Sequence, residues 1–261
     1  MKYFLTLVIM LLVLASPAIA QTEQLSQTAQ PAQPAAATPT FESDVIKGDN
    51  GDIKLTFIGH ASLIIEHSGK VIHIDPWSKL ADYSQLPKAD LLMLTHEHQD
   101  HLDAVAIDLL KKPDTSVVYT EFISQQRDDG KVFKNGDSGE IDGVLIEAVP
   151  AYNIVHKREN GELYHPKGRG NGYIFTIDGK RIYVAGDTEN VPELKELKNI
   201  DVAFLPMNLP YTMTPEMVAD LAIAIKPKVL YPYHFSETDT SIIVNLLKDH
   251  KDIEVRIRKL K

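Results

Sequence analysis

The segment His96–His101 reads His-Glu-His-Gln-Asp-His, so three histidines and an aspartate stand within six positions. It follows Leu91–Thr95, a short apolar run that predicts a strand buried on both faces. It precedes Leu102–Leu110, whose apolar spacing predicts a helix. A buried strand that opens into a turn with so many potential ligands indicates a metal site at the end of that strand.

The spacing within the segment divides these ligands into two pairs. In an extended loop, His96 and His98 point to the same side and can bind one cation. Asp100 and His101 come from the following turn and can bind a second cation close by. Imidazole and carboxylate groups suit zinc, and they also accept manganese and iron.

The amino-acid composition limits the kinds of functional site that the chain can contain. The chain has 261 residues, 44% of them hydrophobic and 24% charged, which fits one globular domain or at most two. It has ten histidines but no cysteine, so disulfides, thiolate zinc sites, iron–sulfur clusters and a cysteine nucleophile are excluded. The net charge of −9 argues against a nucleic-acid-binding protein.

The N-terminus has the features of an export signal. Residues 1–20 contain Lys2, an apolar run and the small-x-small site Ala18-Ile19-Ala20, which predict a cleaved signal peptide. The apolar run is shorter than the roughly 20 residues of a membrane-spanning helix. Residues 21–40 are rich in Gln, Ala and Pro and predict a disordered spacer. We therefore expect a folded domain over residues 41–261, periplasmic or secreted, with no stable membrane anchor.

Strands dominate the first half of the folded part, and strands alternate with helices in the second. This order predicts an α/β (α+β) domain in which helices cover sheets. The predicted strands are Lys54–Ile58, Ser62–Glu66, Val71–Asp75, Leu91–Thr95, Val117–Tyr119, Gly143–Val149, Tyr173–Ile177, Arg181–Ala185, Val202–Leu205, Val229–Tyr233 and Ile253–Ile257. The predicted helices are Leu102–Leu110, Pro192–Leu197, Pro215–Ile225 and Asp239–Asp249.

The pattern His-x-His-x-Asp-His resembles the signature of the metallo-β-lactamase-fold hydrolases, and the resemblance extends from about Leu55 to the C-terminus. It implies a four-layer αββα sandwich with a two-metal site. By this resemblance Asp75 matches an aspartate that supports the metal loop from behind. Asp187, in Gly-Asp-Thr, matches the aspartate that bridges the metals, and His234 matches the last metal histidine. His96, His98, Asp100 and His101 would be the remaining ligands of the signature.

One ligand of the first metal stays open. Relatives place a histidine after the strand that precedes the central hairpin, where this chain has Asn153. His156 and His165 lie downstream, and the glycine-rich sequence after His165 would let that loop fold back to the metal. We favour His165, with His156 or no histidine as the alternatives.

Two further segments resemble one branch of the family. Phe57–Ser62 and Ile74–Trp77 are similar to the branch that includes ascorbate-phosphate lactonase and N-acyl-phosphatidylethanolamine phospholipase D. Pro206–Thr214 resembles a bacterial group of metal-dependent hydrolases in that branch. His60, within the first segment, would lie in the cleft or behind the metal ligands, and Trp77 and Tyr211 could line the cleft.

The resemblance implies a hydrolase that uses two metal ions, zinc by default, to activate water against a phosphodiester, a lactone or a related ester. Asp100 would orient the nucleophile and carry a proton. The expected partner is a small-molecule substrate with no nucleic acid involved. Lys167 and Arg169, beside His165, could bind an anionic group on it.

Two alternatives compete with this interpretation. A β-lactamase is disfavoured by the segments Gly59–Ser62 and Tyr211–Thr214, which point to the other branch. A non-catalytic metal- or ligand-binding protein with a degenerate site is supported only by Asn153, at a position where relatives carry a histidine.

Overall fold

Two mixed seven-stranded sheets form the centre of the protein, for which a computed structural model describes residues 40–261. The first sheet follows chain order: β1 (Glu42–Lys47), β2 (Asp52–Gly59), β3 (Ser62–His67), β4 (Lys70–Ile74), β5 (Leu91–Met93), β6 (Ser116–Thr120) and β7 (Lys131–Phe133). The second sheet contains β8 (Ser138–Ile141), β9 (Val144–Ala151), β10 (Gly170–Ile177), β11 (Lys180–Val184), β12 (Val202–Pro206), β13 (Val229–Tyr233) and β14 (Glu254–Val255), also in chain order from one edge to the other.

Three short helices accompany the sheets: α1 (Ala104–Leu110), α2 (Pro215–Ile225) and α3 (Thr240–Leu246). Single 3-10 turns lie at Tyr83–Gln85, Ile123–Gln125 and Pro192–Glu196. Side chains cap the helix starts, since Asp103 accepts hydrogen bonds from the second and third backbone amides of α1, and Thr214 accepts one from the third backbone amide of α2. Within residues 40–261 no helix is long and apolar enough to cross a membrane.

The middle of the first sheet is buried on both faces, as the apolar run of β5 predicts. Its residues alternate between two cores, because successive side chains of a strand point to opposite faces. Ile65 and Met93 belong to a core shared with the second sheet, whereas Ile64 and Leu92 pack with Ile107 of α1. The shared core also takes in side chains of α2 and α3. Two sheets covered by helices are the metallo-β-lactamase-type sandwich, and the predicted fold is confirmed.

Most predicted elements agree with the structure. The bounds of α2 and β13 are as predicted, and β10 and β11 form the predicted hairpin around Asp178 and Gly179. The helix predicted over Asp239–Asp249 is shorter, because Asp239 caps it by accepting a hydrogen bond from Ser241 N.

Three strands were not predicted from the sequence. These are β1, β7 and β8, which are short or largely polar. In β1 the side chains alternate between exposed and half-buried, and Asp44 pairs with Arg258 near the C-terminus. Such a strand has no apolar run, although it pairs with β2, which follows it directly in the sequence. The predicted signal peptide and all of the predicted spacer except Thr40 lie outside the described residues and stay predictions.

Parallel strands place the candidate site residues at one end of the sandwich. β4 to β7 run parallel to each other, and so do β11 to β14. The carboxyl ends of parallel neighbours meet at the same edge of a sheet. Residues that follow β4, β5, β11 and β13 therefore converge.

Candidate metal centre

The convergent strand ends supply most of the predicted site residues. Asp75 follows β4, Thr95–His101 follow β5, Asp187 follows β11 and His234 follows β13. The loop after β11 needs Gly186, whose φ is +65° and whose missing side chain leaves room for Asn171 O and the Thr95 side chain. A Cβ there would lie 2.8 Å from that carbonyl oxygen, so glycine allows the two loops to approach.

The first group of potential metal ligands contains His96, His98, His165 and Asp187. Each offers one ligand atom, and these atoms all lie within 4.8 Å of one another. His165 Nε2 lies 3.2 Å from Asp187 Oδ2, and His96 Nε2 lies 3.9 Å from the same oxygen. The structure thus brings the three histidines of the predicted first site around one carboxylate.

The second group contains His60, Asp100, His101 and His234, again with ligand atoms within 4.8 Å of one another. Asp100 Oδ2 lies 3.0 Å from His60 Nε2 and 3.7 Å from His234 Nε2. His60 was expected only in the cleft or behind the ligands, and the structure places its Nε2 among them.

Asp187 lies between the two groups. Its Oδ1 is 3.5 Å from His101 Nε2, and its Oδ2 is 3.5 Å from His234 Nε2, while the same carboxylate faces the first group. This is the position that the predicted bridging role requires. The role itself stays a prediction.

Several buried polar atoms of the candidate centre have no hydrogen-bond partner within residues 40–261, which is a feature expected of metal-binding groups. His101 Nε2, His234 Nε2 and Asp187 Oδ1 are buried and have no hydrogen-bond partner among the described residues. A buried polar atom without a partner costs about 1–3 kcal/mol. Metal ions would satisfy all three atoms, and a set of imidazoles and carboxylates is one that zinc accepts. The residues therefore fit a two-metal centre.

The electrostatics of the centre also suit metal binding. Burial keeps the pKa of His96 well below its ordinary value and lowers that of His98, so both are neutral and free to ligate. Burial alone would lower the pKa of His101, but the Asp187 and Asp75 carboxylates raise it to about 9. A metal ion would take the place of that proton on the imidazole.

Asp75 fixes the loop Thr95–His101, which carries four of the potential metal ligands, by hydrogen bonds. Its Oδ1 accepts a hydrogen bond from Thr95 N at 2.8 Å, and its Oδ2 accepts one from Thr95 Oγ1 at 2.6 Å. His101 Nδ1 lies 2.7 Å from Oδ2, so this nitrogen donates and Nε2 faces the centre. Asp75 is fully buried, and its contacts are those expected from the resemblance.

Three residues of the site adopt a left-handed backbone conformation that non-glycine residues rarely use. They are His60, Asp75 and His234, with φ of 52°, 43° and 46°. The conformation of two is fixed by a chain of hydrogen bonds, because His234 N donates to His60 O and His60 N donates to Lys261 O. Strained backbone of this kind clusters at functional sites.

Among the three alternatives for the open ligand, the structure brings His165 to the centre. His165 Nδ1 lies 2.6 Å from Asn153 Oδ1, which leaves Nε2 directed at Asp187. Asn153 Nδ2 donates to Glu189 and to the carbonyl of Tyr211, so the orientation of its amide is fixed. Asn153 thus supports the histidine instead of replacing it.

His156 lies outside both groups of potential ligands. Its Nδ1 is 2.7 Å from Glu189 Oε1, and its backbone amide donates to the same oxygen. Glu189 also accepts hydrogen bonds from the backbone amides of Ile154 and Val155, at 2.7 Å each. This buried carboxylate was not singled out from the sequence, because a lone glutamate after a strand carries no spacing signal.

Replacing Asn153 by alanine is expected to weaken metal binding by the first group about 10- to 100-fold, the loss typical of a missing partner behind a histidine ligand. Without Oδ1 to accept from Nδ1, the ring of His165 loses its fixed orientation. Titration with Co²⁺ against a competing chelator measures the affinity. Asn160→Ala, which removes an exposed amide from the same loop, is the matched control. Equal affinities in the two variants would contradict a supporting role for Asn153.

The centre opens into a cleft of about 460 Å³. Its walls comprise His60, His98, Gln99, Asp100, Arg158, Tyr164, His165, Asp187, Asn208, Tyr211 and His234. Tyr211 lines it as expected, whereas Trp77 is not among the lining residues and packs beside His60, with ring centres 5.0 Å apart. Arg158 was missed, since an arginine in a polar turn has no distinguishing sequence pattern.

The two basic residues expected to bind an anionic substrate group are engaged elsewhere. Lys167 Nζ lies 2.5 Å from Glu193 Oε1, and Arg169 Nη1 lies 3.5 Å from Glu97 Oε1. Arg169 also stacks on the ring of Phe122. Neither is among the residues that line this cleft, although Arg169 borders a small cavity beside His96, His98 and His165.

Known proteins share this sequence and fold. Residues 54–234 match the model of the family described as "Beta-lactamase superfamily domain". The chain is 35% identical over 197 residues to a UPF0173 metal-dependent hydrolase of Thermococcus kodakarensis, covering 70% of this chain and 85% of that protein.

Solved structures agree with this similarity. A protein of Parabacteroides distasonis, described as a candidate metal-dependent hydrolase, is 47% identical with a TM-score of 0.81, covering 85% of this chain and all of that one. A metallo-hydrolase of Ignicoccus hospitalis is 27% identical with a TM-score of 0.66, covering 80% of this chain and 95% of that one.

Proposed function

Since the chain belongs to the metallo-β-lactamase superfamily, among the UPF0173 metal-dependent hydrolases, we propose that it hydrolyses a phosphodiester, a lactone or a related ester at a two-zinc centre. The observation that supports this proposal is the position of Asp187 between two adjacent groups of potential ligands, with three buried atoms left unpartnered among the described residues. The narrower resemblance to the lactonase and phospholipase D branch stays a prediction.

The proposed ligands divide between the two groups. The first ion would be held by His96, His98 and His165, and the second by Asp100, His101 and His234. Asp187 lies between the two groups. His60 lies beside Asp100 and offers the second group a further nitrogen. When bound, two divalent cations lower the pKa of water and polarise the oxygen of the bond to be broken.

Asp100 is the acidic residue placed to orient water in the cleft. Its side chain is 32% exposed and lines the cleft, whereas that of Asp187 is only 4% exposed. Burial alone would raise the pKa of Asp100, but the His234 and His60 side chains hold it well below its ordinary value. The carboxylate is therefore ionised, so it can orient water by accepting a hydrogen bond from it.

The supporting residues keep the ligands in place during the reaction. Asp75 fixes His101 and Asn153 fixes His165, each through Nδ1. The side-chain amide of Asn208 lies 3.1 Å from Nδ1 of His234 and plays the same part there. Such preorganised ligands need no rearrangement when a substrate arrives.

Metal removal tests the proposed function. The protein is purified, its metal content is measured, and it is assayed with bis(4-nitrophenyl) phosphate, a γ-lactone and 4-nitrophenyl acetate. We expect about two metal equivalents per chain and hydrolysis of at least one substrate class, lost on dialysis against a chelator and restored by Zn²⁺ or Mn²⁺. Hydrolysis that persists after complete metal removal would refute the proposal.

A further inference from the structure

Arg158 is the only lysine or arginine among the described residues that line the cleft. Its guanidinium carbon lies 5.0 Å from the centre of the Tyr164 ring, and its Nη2 donates to the Tyr164 carbonyl at 3.4 Å. In the part of the chain that the structure describes it forms no ion pair, unlike Lys167 and Arg169 nearby. Most of its donors are therefore free to bind a ligand in the cleft.

The loop that carries Arg158 is held at both ends. We call residues 154–165 the arm. At its start, Glu189 accepts hydrogen bonds from three consecutive backbone amides, and at its end His165 joins the metal centre. Between them, Lys157 and Leu163 form an antiparallel bridge, and Arg158 N donates to Glu162 O at 2.7 Å. The arm thus presents Arg158 to the cleft from a fixed base.

Two tyrosines form the wall beside Arg158. The rings of Tyr164 and Tyr211 meet edge to face, with centres 5.0 Å apart, and both line the cleft. Tyr211 is 44% exposed, although its backbone is fixed by Asn153. Aromatic walls of this kind pack against flat rings, and an arginine beside them binds carboxylate or phosphate.

From these contacts we propose that the arm is a recognition element for a substrate that carries a ring and a negative charge on the same part of the molecule, apart from the bond to be broken. Arg158 binds the negative group, and Tyr164 and Tyr211 pack against the ring. This inference rests on the proposed hydrolysis at the same centre, and it narrows the substrate to anionic, ring-bearing esters.

Binding of benzoate and its neutral analogue benzamide to the metal-loaded protein tests this proposal. We expect calorimetry to show that Arg158→Ala binds benzoate about tenfold more weakly than the wild type, the loss expected for one charge-assisted pair. Benzamide binding should not change. Lys157→Ala removes the same charge from the neighbouring residue of the arm, which does not line the cleft, and should bind both probes as the wild type does.

The outcomes distinguish a failure of the proposed Arg158 binding site from a failure of the proposed hydrolysis. Equal benzoate affinity in the wild type and Arg158→Ala, or no benzoate binding by the wild type, would overturn the assignment of Arg158. A tenfold loss of benzoate affinity without hydrolysis of any ester would support the subsite and refute the proposed reaction. If esters are hydrolysed, Arg158→Ala should raise KM for 4-carboxyphenyl acetate and leave KM for 4-acetylphenyl acetate unchanged.

Discussion

Replacement of Asp187 by asparagine is expected to lower hydrolysis at least about 10³-fold, equivalent to about 4 kcal/mol of transition-state stabilisation. The substitution preserves the shape of the side chain but removes the negative charge between the two groups of ligands. One end of the amide would carry hydrogens and could not bind a metal. We expect the metal content to fall from two equivalents to one or fewer, measured by elemental analysis beside the rate.

The distances explain why no other side chain can compensate. Asp187 lies 3.2 to 3.9 Å from His96, His165, His101 and His234, with Oδ2 facing three of these histidines and Oδ1, unpartnered among the described residues, facing His101. Burial alone would raise the pKa of Asp187, but the charges of His234 and His101 hold it well below its ordinary value. The carboxylate is thus ionised and central to both groups.

The matched control for this variant is Asp201→Asn. Asp201 precedes β12 at the opposite end of the same sheet, where it accepts a hydrogen bond from Arg181 N and pairs with Lys228. Its replacement should leave two metal equivalents and the wild-type rate. If Asp187→Asn also retained two equivalents and full activity, Asp187 would not be the shared ligand.

Replacement of Glu189 by glutamine is expected to destabilise the protein by about 3 kcal/mol, because at least two of the donors that hydrogen-bond to this carboxylate would lose their acceptor. Oε2 of Glu189 accepts from Ile154 N and Val155 N, while Oε1 accepts from three donors of Asn153 and His156. An amide group in either orientation would direct its own hydrogens at some of these donors. Urea unfolding monitored by circular dichroism measures the change.

Glu189→Gln should also bind metal more weakly at the first group. The reason is that Glu189 would no longer hold the start of the arm that ends in His165. Glu193→Gln is the matched control, since Glu193 is partly exposed and pairs with Lys167. A surface pair of this kind contributes about 1 kcal/mol or less. Similar stability losses in the two variants would contradict the importance that we assign to the buried carboxylate.

The candidate ligands that could be predicted from the sequence are those that directly follow a recognisable strand. His96 to His101 follow an apolar run, and Asp187 and His234 follow two others, so the order of the chain already implies that they meet. The strands themselves were predicted well where they are apolar. Edge strands such as β1 were missed, because they are short or largely polar, and pairing with the neighbouring strand determines them more than their own side chains do.

The residues that were missed depend on contacts across the sequence. Glu189 interacts with the backbone of residues 154–156, more than thirty positions away, and nothing in its own surroundings indicates this. The choice of His165 over His156 depends on how the arm folds back, which spacing alone left open. Arg158 differs from Lys167 and Arg169 in lining the cleft and in having no carboxylate partner among the described residues, and both differences become visible only in three dimensions.

Each sheet is built from one continuous half of the chain, β1 to β7 and then β8 to β14. The candidate metal centre draws potential ligands from both halves, with His96 and His101 from the first and His165 and His234 from the second. An ion bound there would act as a cross-link between two halves of a chain that has no cysteine. Its free energy of binding would add to the stability of the fold according to the free metal concentration. The availability of metal would therefore set the lifetime of the protein as well as its activity.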